Sequence, residues 1–103
     1  MNKTQANNAV RDIIGKLEEW SQSHTQKTNH DVVIHTSHHV HKDKDFWSID
    51  VFVLDSIRND AKKLYYNSVL VNYEFTTQER LEEFLNATMS WSEKQLQKPS
   101  KKP

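Results

Sequence analysis

Histidines cluster between His30 and His41, where five of the chain's six occur. Imidazole binds zinc, nickel and copper and titrates near neutral pH, so this segment could hold a metal or respond to pH. Side chains on the same face of a strand lie about 6.6 Å apart, close enough for His39 and His41 to approach one ion. With Asp50 from the next segment, they form a candidate zinc or nickel site, whereas His35 lies about 13 Å from His39.

Other reactive chemistry has little support. The chain has no cysteine, which excludes disulfides, thiolate nucleophiles and cysteine-ligated zinc. No Gly-x-Ser-x-Gly motif or phosphate-binding glycine loop occurs. Ser48, His39 and Asp50 resemble a catalytic triad in composition only, and an open sheet offers no cleft that excludes water. We therefore expect neither an enzyme nor a required cofactor.

A period of two places these histidines on a strand. From Asp31 to His41, alternate residues point to opposite sides: one side carries Val32, Ile34, Thr36, His38 and Val40, and the other carries Val33, His35, Ser37, His39 and His41. The tetrad 42–45 is charged, and alternation resumes over 46–55. A four-residue hairpin loop across the tetrad would pair His41 with Phe46. It would also place His38 on the apolar face as a hydrogen-bonded core histidine.

Three further elements complete the pattern. Apolar residues at three- and four-residue spacing predict amphipathic helices over 5–24 and from 77 to about 97. Thr76 followed by Glu79 fits a capping box at the start of the second helix. Residues 64–75 favour a third strand, but both of its faces carry apolar residues, so its register and buried face stay open.

The predicted fold class is α+β. Residues 1–98 form a single domain of αβββα order, in which two helices pack on one face of a three-stranded antiparallel sheet. Residues 99–103 form a short basic tail that we expect to be disordered. The chain has no signal peptide or membrane-spanning run, so we expect a soluble, cytoplasmic protein that does not bind a membrane.

The sheet face opposite the helices is the candidate binding surface. On it, apolar residues are mixed with histidines, and such patches usually have a partner that covers them. The predicted partner-binding residues are Val33, His35, His39, His41, Phe46, Asp50, Phe52 and Leu54. The first strand could also be an edge that self-associates, and a homodimer would account for the patch without a foreign partner.

Size and surface together favour a small intracellular interaction factor. We expect an inhibitor or regulator that occupies the surface of a macromolecular partner. Glycine, alanine and arginine, which have GC-rich codons, are rare, and this points to an AT-rich genome such as that of a phage or mobile element.

Nucleic-acid binding is the alternative use of the same face. Phe46, Phe52 and either Tyr65 or Tyr66 could stack on bases. The αβββα order is shared with double-stranded-RNA-binding domains, but those carry a lysine cluster where residues 77–83 here read TQERLEE. Basic and acidic side chains number 14 each, so no net positive field attracts phosphate.

Overall fold

Two helices and three strands follow one another in the predicted order. The computed structural model describes residues 1–42, 44–55 and 62–97. The elements are α1 (Lys3–Thr28), β1 (Asp31–His41), β2 (Lys44–Leu54), β3 (Lys63–Asn72) and α2 (Gln78–Gln97). The three strands form one antiparallel sheet in the order β1-β2-β3, which confirms the predicted α+β fold class. The predicted tail, residues 99–103, lies outside the described residues.

The β1–β2 register differs from the prediction by two residues. His41 pairs with Lys44 and not with Phe46, so part of the predicted loop belongs to β2. Lys42, next to the turn, has a φ of 57°, in the left-handed region that tight hairpin turns require. A two-residue shift preserves the direction of every side chain, so the predicted faces of the hairpin are correct although its pairs are wrong.

The core lies between the helices and one face of the sheet. β2 and β3 supply fully buried side chains at alternate positions, and both helices supply them at three- and four-residue spacing. These residues are Val10, Ile13, Leu17, Ile49, Val51, Val69, Val71, Leu81, Phe84 and Leu85. Neither helix has the length and apolarity needed to cross a bilayer.

α1 crosses the sheet diagonally. Its N-terminal end lies beside the C-terminal end of β3, where the Met1 amino group donates to the carbonyl of Tyr73 at 3.3 Å. At its other end only two residues separate α1 from the start of β1. Because of this path, α1 does not cover the C-terminal half of β1.

The predicted burial of His38 is therefore wrong. His38 points to the helix side of the sheet but is exposed, and its ring stacks on Trp47 at a centroid distance of 4.8 Å. Its Nε2 lies 3.6 Å from Asp45 Oδ1. Val40, the next residue on this side of the strand, is 68% exposed.

The helix ends differ modestly from the prediction. Asn2 caps α1 by accepting from the amide of Gln5, whose side chain accepts from Asn2 in return, and the helix continues to Thr28 instead of ending near residue 24. α2 is capped by Thr77, whose hydroxyl accepts from the amide of Arg80 at 3.2 Å, and not by the predicted Thr76.

Candidate functional site: the open sheet face

No helix among the described residues packs on one face of the sheet, and this face holds every predicted partner-binding residue. We call this surface the open face. Its residues alternate along β1 and β2 with those that point toward the helices. The predicted members are Val33, His35, His39, His41, Phe46, Asp50, Phe52 and Leu54. β3 adds Tyr66, Ser68 and Leu70, since these pair with Phe52, Asp50 and Ser48.

The structure settles which tyrosine faces outward. Tyr66 lies on the open face beside Phe52. Tyr65 points to the helices, where its hydroxyl lies 3.2 Å from the Thr88 hydroxyl and its ring stacks on Trp91. The sequence could not decide this, because the adjacent tyrosines suit either face equally.

A polar group occupies the middle of the open face. Asp50 Oδ1 accepts a hydrogen bond of 3.1 Å from the Tyr66 hydroxyl. Asp50 Oδ2 lies 3.6 Å from His35 Nδ1, an ion pair when the imidazole is protonated. The carboxylate is thus held by one strand on each side, which fixes it as a hydrogen-bond acceptor at the centre of the surface.

Aromatic rings lie on both sides of this group along the strands. Phe52 and Tyr66 pack with ring centroids 4.8 Å apart, and the Lys63 ammonium lies 5.1 Å from the Tyr66 centroid. Toward the hairpin turn, His39 stacks on Phe46 at 4.9 Å. Cross-strand ring pairs of this kind hold flat side chains in fixed positions.

The candidate metal ligands do not come together. Asp50 pairs with His35, whereas His39 pairs with Phe46, so Asp50 lies four residues, about 13 Å, from the position opposite His39. The predicted proximity depended on the register that the structure corrects. Within the described parts of the chain, no group of three histidine, aspartate or glutamate side chains could hold a metal ion.

A second histidine centre lies inside the molecule, between α1 and α2. His24 is 1% exposed, and its Nδ1 lies 2.6 Å from the hydroxyl oxygen of Ser92. Its Nε2 lies 3.0 Å from His30 Nδ1. The rings of Trp20 and Trp91 pack within 5.6 Å of the His24 ring. Burial, followed by the neighbouring His30, lowers the pKa of the His24 imidazole below its ordinary value of 6.5.

A serine held against a neutral imidazole is also the arrangement that activates a nucleophile. Here Ser92 is only 3% exposed, at the side of a cleft of about 190 Å³. A reacting group has little access to the hydroxyl. We therefore interpret the pair as a hydrogen bond that satisfies two buried polar groups at the helix interface.

Sequence reasoning missed His24 because the segment 21–30 has no apolar residue. The signal was nevertheless present. His24 follows Leu17 by seven residues and Trp20 by four, so it continues the buried stripe of α1. Its partner Ser92 lies on the buried stripe of α2, as does Thr88.

Comparison with known proteins adds no relative to this description. No protein-family model, curated protein or solved structure shows significant similarity to the chain.

Proposed function

We propose that the protein is a small binding factor that recognises a protein partner through the open face. The observation that carries the proposal is the mixed apolar and aromatic composition of this face, over which neither α1 nor α2 lies. By covering the partner's surface, such a factor would act as an inhibitor or regulator. A flat sheet surface is suited to covering a partner, whereas binding a small molecule requires a pocket that encloses it.

Exposure of large apolar side chains supports the proposal. On the open face Leu70 is 60%, Tyr66 48% and Val33 37% exposed. Phe46, Phe52 and Leu54 are partly exposed on the same face. Scattered exposed apolar residues are normal on a monomer, but a set grouped on one side of a sheet is typical of an interaction surface.

Charge favours a protein over a nucleic acid. On the open face, the Lys63 ammonium already lies over two aromatic rings. Asp50 is an anion at the centre of the face and would repel phosphate. Tyrosine and phenylalanine around a central hydrogen-bond acceptor are typical of the centre of protein interfaces. The partner surface that fits is apolar and largely uncharged.

Affinity capture followed by direct binding measurement tests the proposal. The tagged chain is used to isolate a partner from the source cells, and the purified partner is titrated by calorimetry against wild type and variants. Phe52→Asp and Leu70→Asp each place a carboxylate in the apolar part of the face. We expect each to lower affinity by about tenfold or more.

Phe75→Asp is the matched control, because Phe75 is equally aromatic, is 76% exposed and lies with Met1 and Gln5 away from the open face. It should leave affinity unchanged. Thermal melts confirm that each variant is folded. Unchanged binding by both face variants, or capture that a nuclease abolishes, would contradict recognition of a protein by this face.

A further inference from the structure

The two edges of the sheet differ in how their backbone groups are satisfied. At the β3 edge, the Thr76 hydroxyl accepts from the Asn72 amide at 2.8 Å and donates to the Leu70 carbonyl at 3.4 Å. The Ser68 amide donates to the side chain of Asn67 at 3.0 Å. These groups point away from β2, and local side chains occupy them, so the β3 edge is partly capped against another strand.

The same bonds fix the direction of every backbone group in the sheet. In an antiparallel ladder, residues alternate between pairs that exchange backbone hydrogen bonds and pairs that do not. The backbone amides and carbonyls of Leu70 and Asn72 point outward. Their partners in β2, Ser48 and Phe46, therefore direct their own backbone groups to β1. The odd-numbered residues of β1 pair with the even-numbered residues of β2 and exchange backbone hydrogen bonds with them. The amides and carbonyls of the even-numbered β1 residues therefore point to the free edge.

Within the described residues, the β1 edge lacks the usual protection of an edge strand. Residues 32–41 contain no proline, lysine or arginine, and no bulge interrupts the β1–β2 register. In the parts of the chain that the structure describes, no side chain caps the outward backbone groups of residues 32–41. Beyond the reach of α1, this edge strand is also exposed on both faces, as Val40 and His39 show.

We infer that a second copy of the chain pairs with this edge, β1 against β1, to form a continuous six-stranded sheet. A twofold axis at Thr36 allows all eleven residues of both strands to pair. It matches the outward-pointing positions with one another: Thr36 with itself, His38 with Ile34 and Val40 with Val32 of the second copy. This register forms about ten backbone hydrogen bonds, two for each of five pairs.

Side-chain chemistry favours this self-pairing over a foreign strand. Val40 is largely exposed in the single chain, whereas Val32 packs against the core. Pairing them would bury part of the Val40 side chain of each copy against Val32 of the other. At the ends of the paired strands, Asp31 would lie opposite His41 of the second copy, so that a carboxylate is next to an imidazole. The inference does not depend on the proposed function, since it uses the strand edge and leaves the open face free.

A single cysteine tests both the dimer and its register, because the chain has no cysteine of its own. In Thr36→Cys the two thiols would lie across the twofold axis, with Cα atoms about 5.5 Å apart, within disulfide range. Under mild oxidation we expect a covalent dimer. Val40→Cys is the matched control: its two thiols would be eight residues, about 26 Å, apart and should not join.

Sedimentation of the wild type, at concentrations up to about 100 μM to allow for a small interface, measures association without a cross-link. The expected mass is twice that of the chain. Thr36→Pro removes an outward amide that β2 does not use, so it should give a folded monomer. A monomeric wild type would overturn the inference. So would a dimer in which Val40→Cys cross-links as readily as Thr36→Cys, or one that Thr36→Pro leaves intact.

Discussion

At the scale of single residues, the imidazoles divide into two environments. His35, His38, His39 and His41 are exposed on β1, and His30 is half-buried beside His24. His24 is enclosed by Trp20, Trp91 and Ser92, with no carboxylate among its hydrogen-bond partners. Lys27 and Glu93 line the neighbouring cleft. Burial therefore favours the neutral form of His24.

Stability should consequently fall in acid through His24. The unfolded chain takes up this proton as the pH drops through about 6.5, whereas the folded chain, with its lowered pKa, does so only at lower pH. The contribution of neutral His24 to the free energy of unfolding is complete above about pH 6.5 and is lost progressively below it. Urea unfolding at about pH 7.5 and about pH 5 should show a lower midpoint in acid.

His24→Asn is the matched variant for this measurement, because an amide can still bond to Ser92 but does not titrate. It should be less stable than wild type near neutral pH and show a smaller loss in acid. The exposed histidines are common to both proteins and cancel in the comparison. An equal loss of stability in the two proteins would show that protonation of His24 does not contribute to the loss of stability in acid.

At the scale of elements, short polar residues determine where helices stop and the next element begins. Asn29 ends α1 with a φ of 63°, and its amide donates to the Thr25 carbonyl at 2.9 Å. At this left-handed residue the chain turns directly into β1. The turn places His30 beside His24 and packs the hairpin against the helices.

Substitution of Asn29 separates backbone conformation from side-chain chemistry. Asn29→Ala should lower the free energy of unfolding by about 1 kcal/mol, because a Cβ without a local hydrogen bond is disfavoured at positive φ. Asn29→Gly should be as stable as wild type or more stable, since glycine adopts this conformation freely. Denaturant midpoints measure both; an Asn29→Gly variant weaker than Asn29→Ala would refute the argument.

At the scale of the whole molecule, the fold is one-sided. Both helices lie against one face of the sheet, so apolar residues of the strands have different surroundings according to the face to which they point. Ile49 is fully buried on the helix side, whereas Leu70 is exposed on the open face. The core thus lies on one face of the three strands, and the recognition that we propose would use the other.

A pair of alanine substitutions tests this separation. Ile49→Ala leaves a cavity in the core and should lower the free energy of unfolding by about 2–5 kcal/mol. Leu70→Ala removes a side chain of equal carbon number from the open face and should change it by no more than about 0.5 kcal/mol. Chemical denaturation measures both. Comparable losses in the two variants would mean that the open face is covered by further structure.

The sequence by itself determined the order of elements and the face to which each hairpin residue points. Both follow from local periodicity: alternation gives strands, three- and four-residue spacing gives helices, and a register shift of two residues preserves direction. For this reason all eight predicted binding residues lie on the open face, although the predicted proximity of Asp50 to His39 and His41 was wrong. The side of the sheet that Tyr65 and Tyr66 occupy had no local signal.

Only the tertiary structure decided which side chains the helices cover. His38 and Val40 follow the same alternation as Ile34, yet the diagonal path of α1 leaves them exposed. His24 looks polar in sequence but is buried, because Ser92 and His30 satisfy both of its ring nitrogens. Burial depends on where distant elements cross, and hydrogen-bond partners 68 residues apart cannot be inferred from the local pattern of either segment.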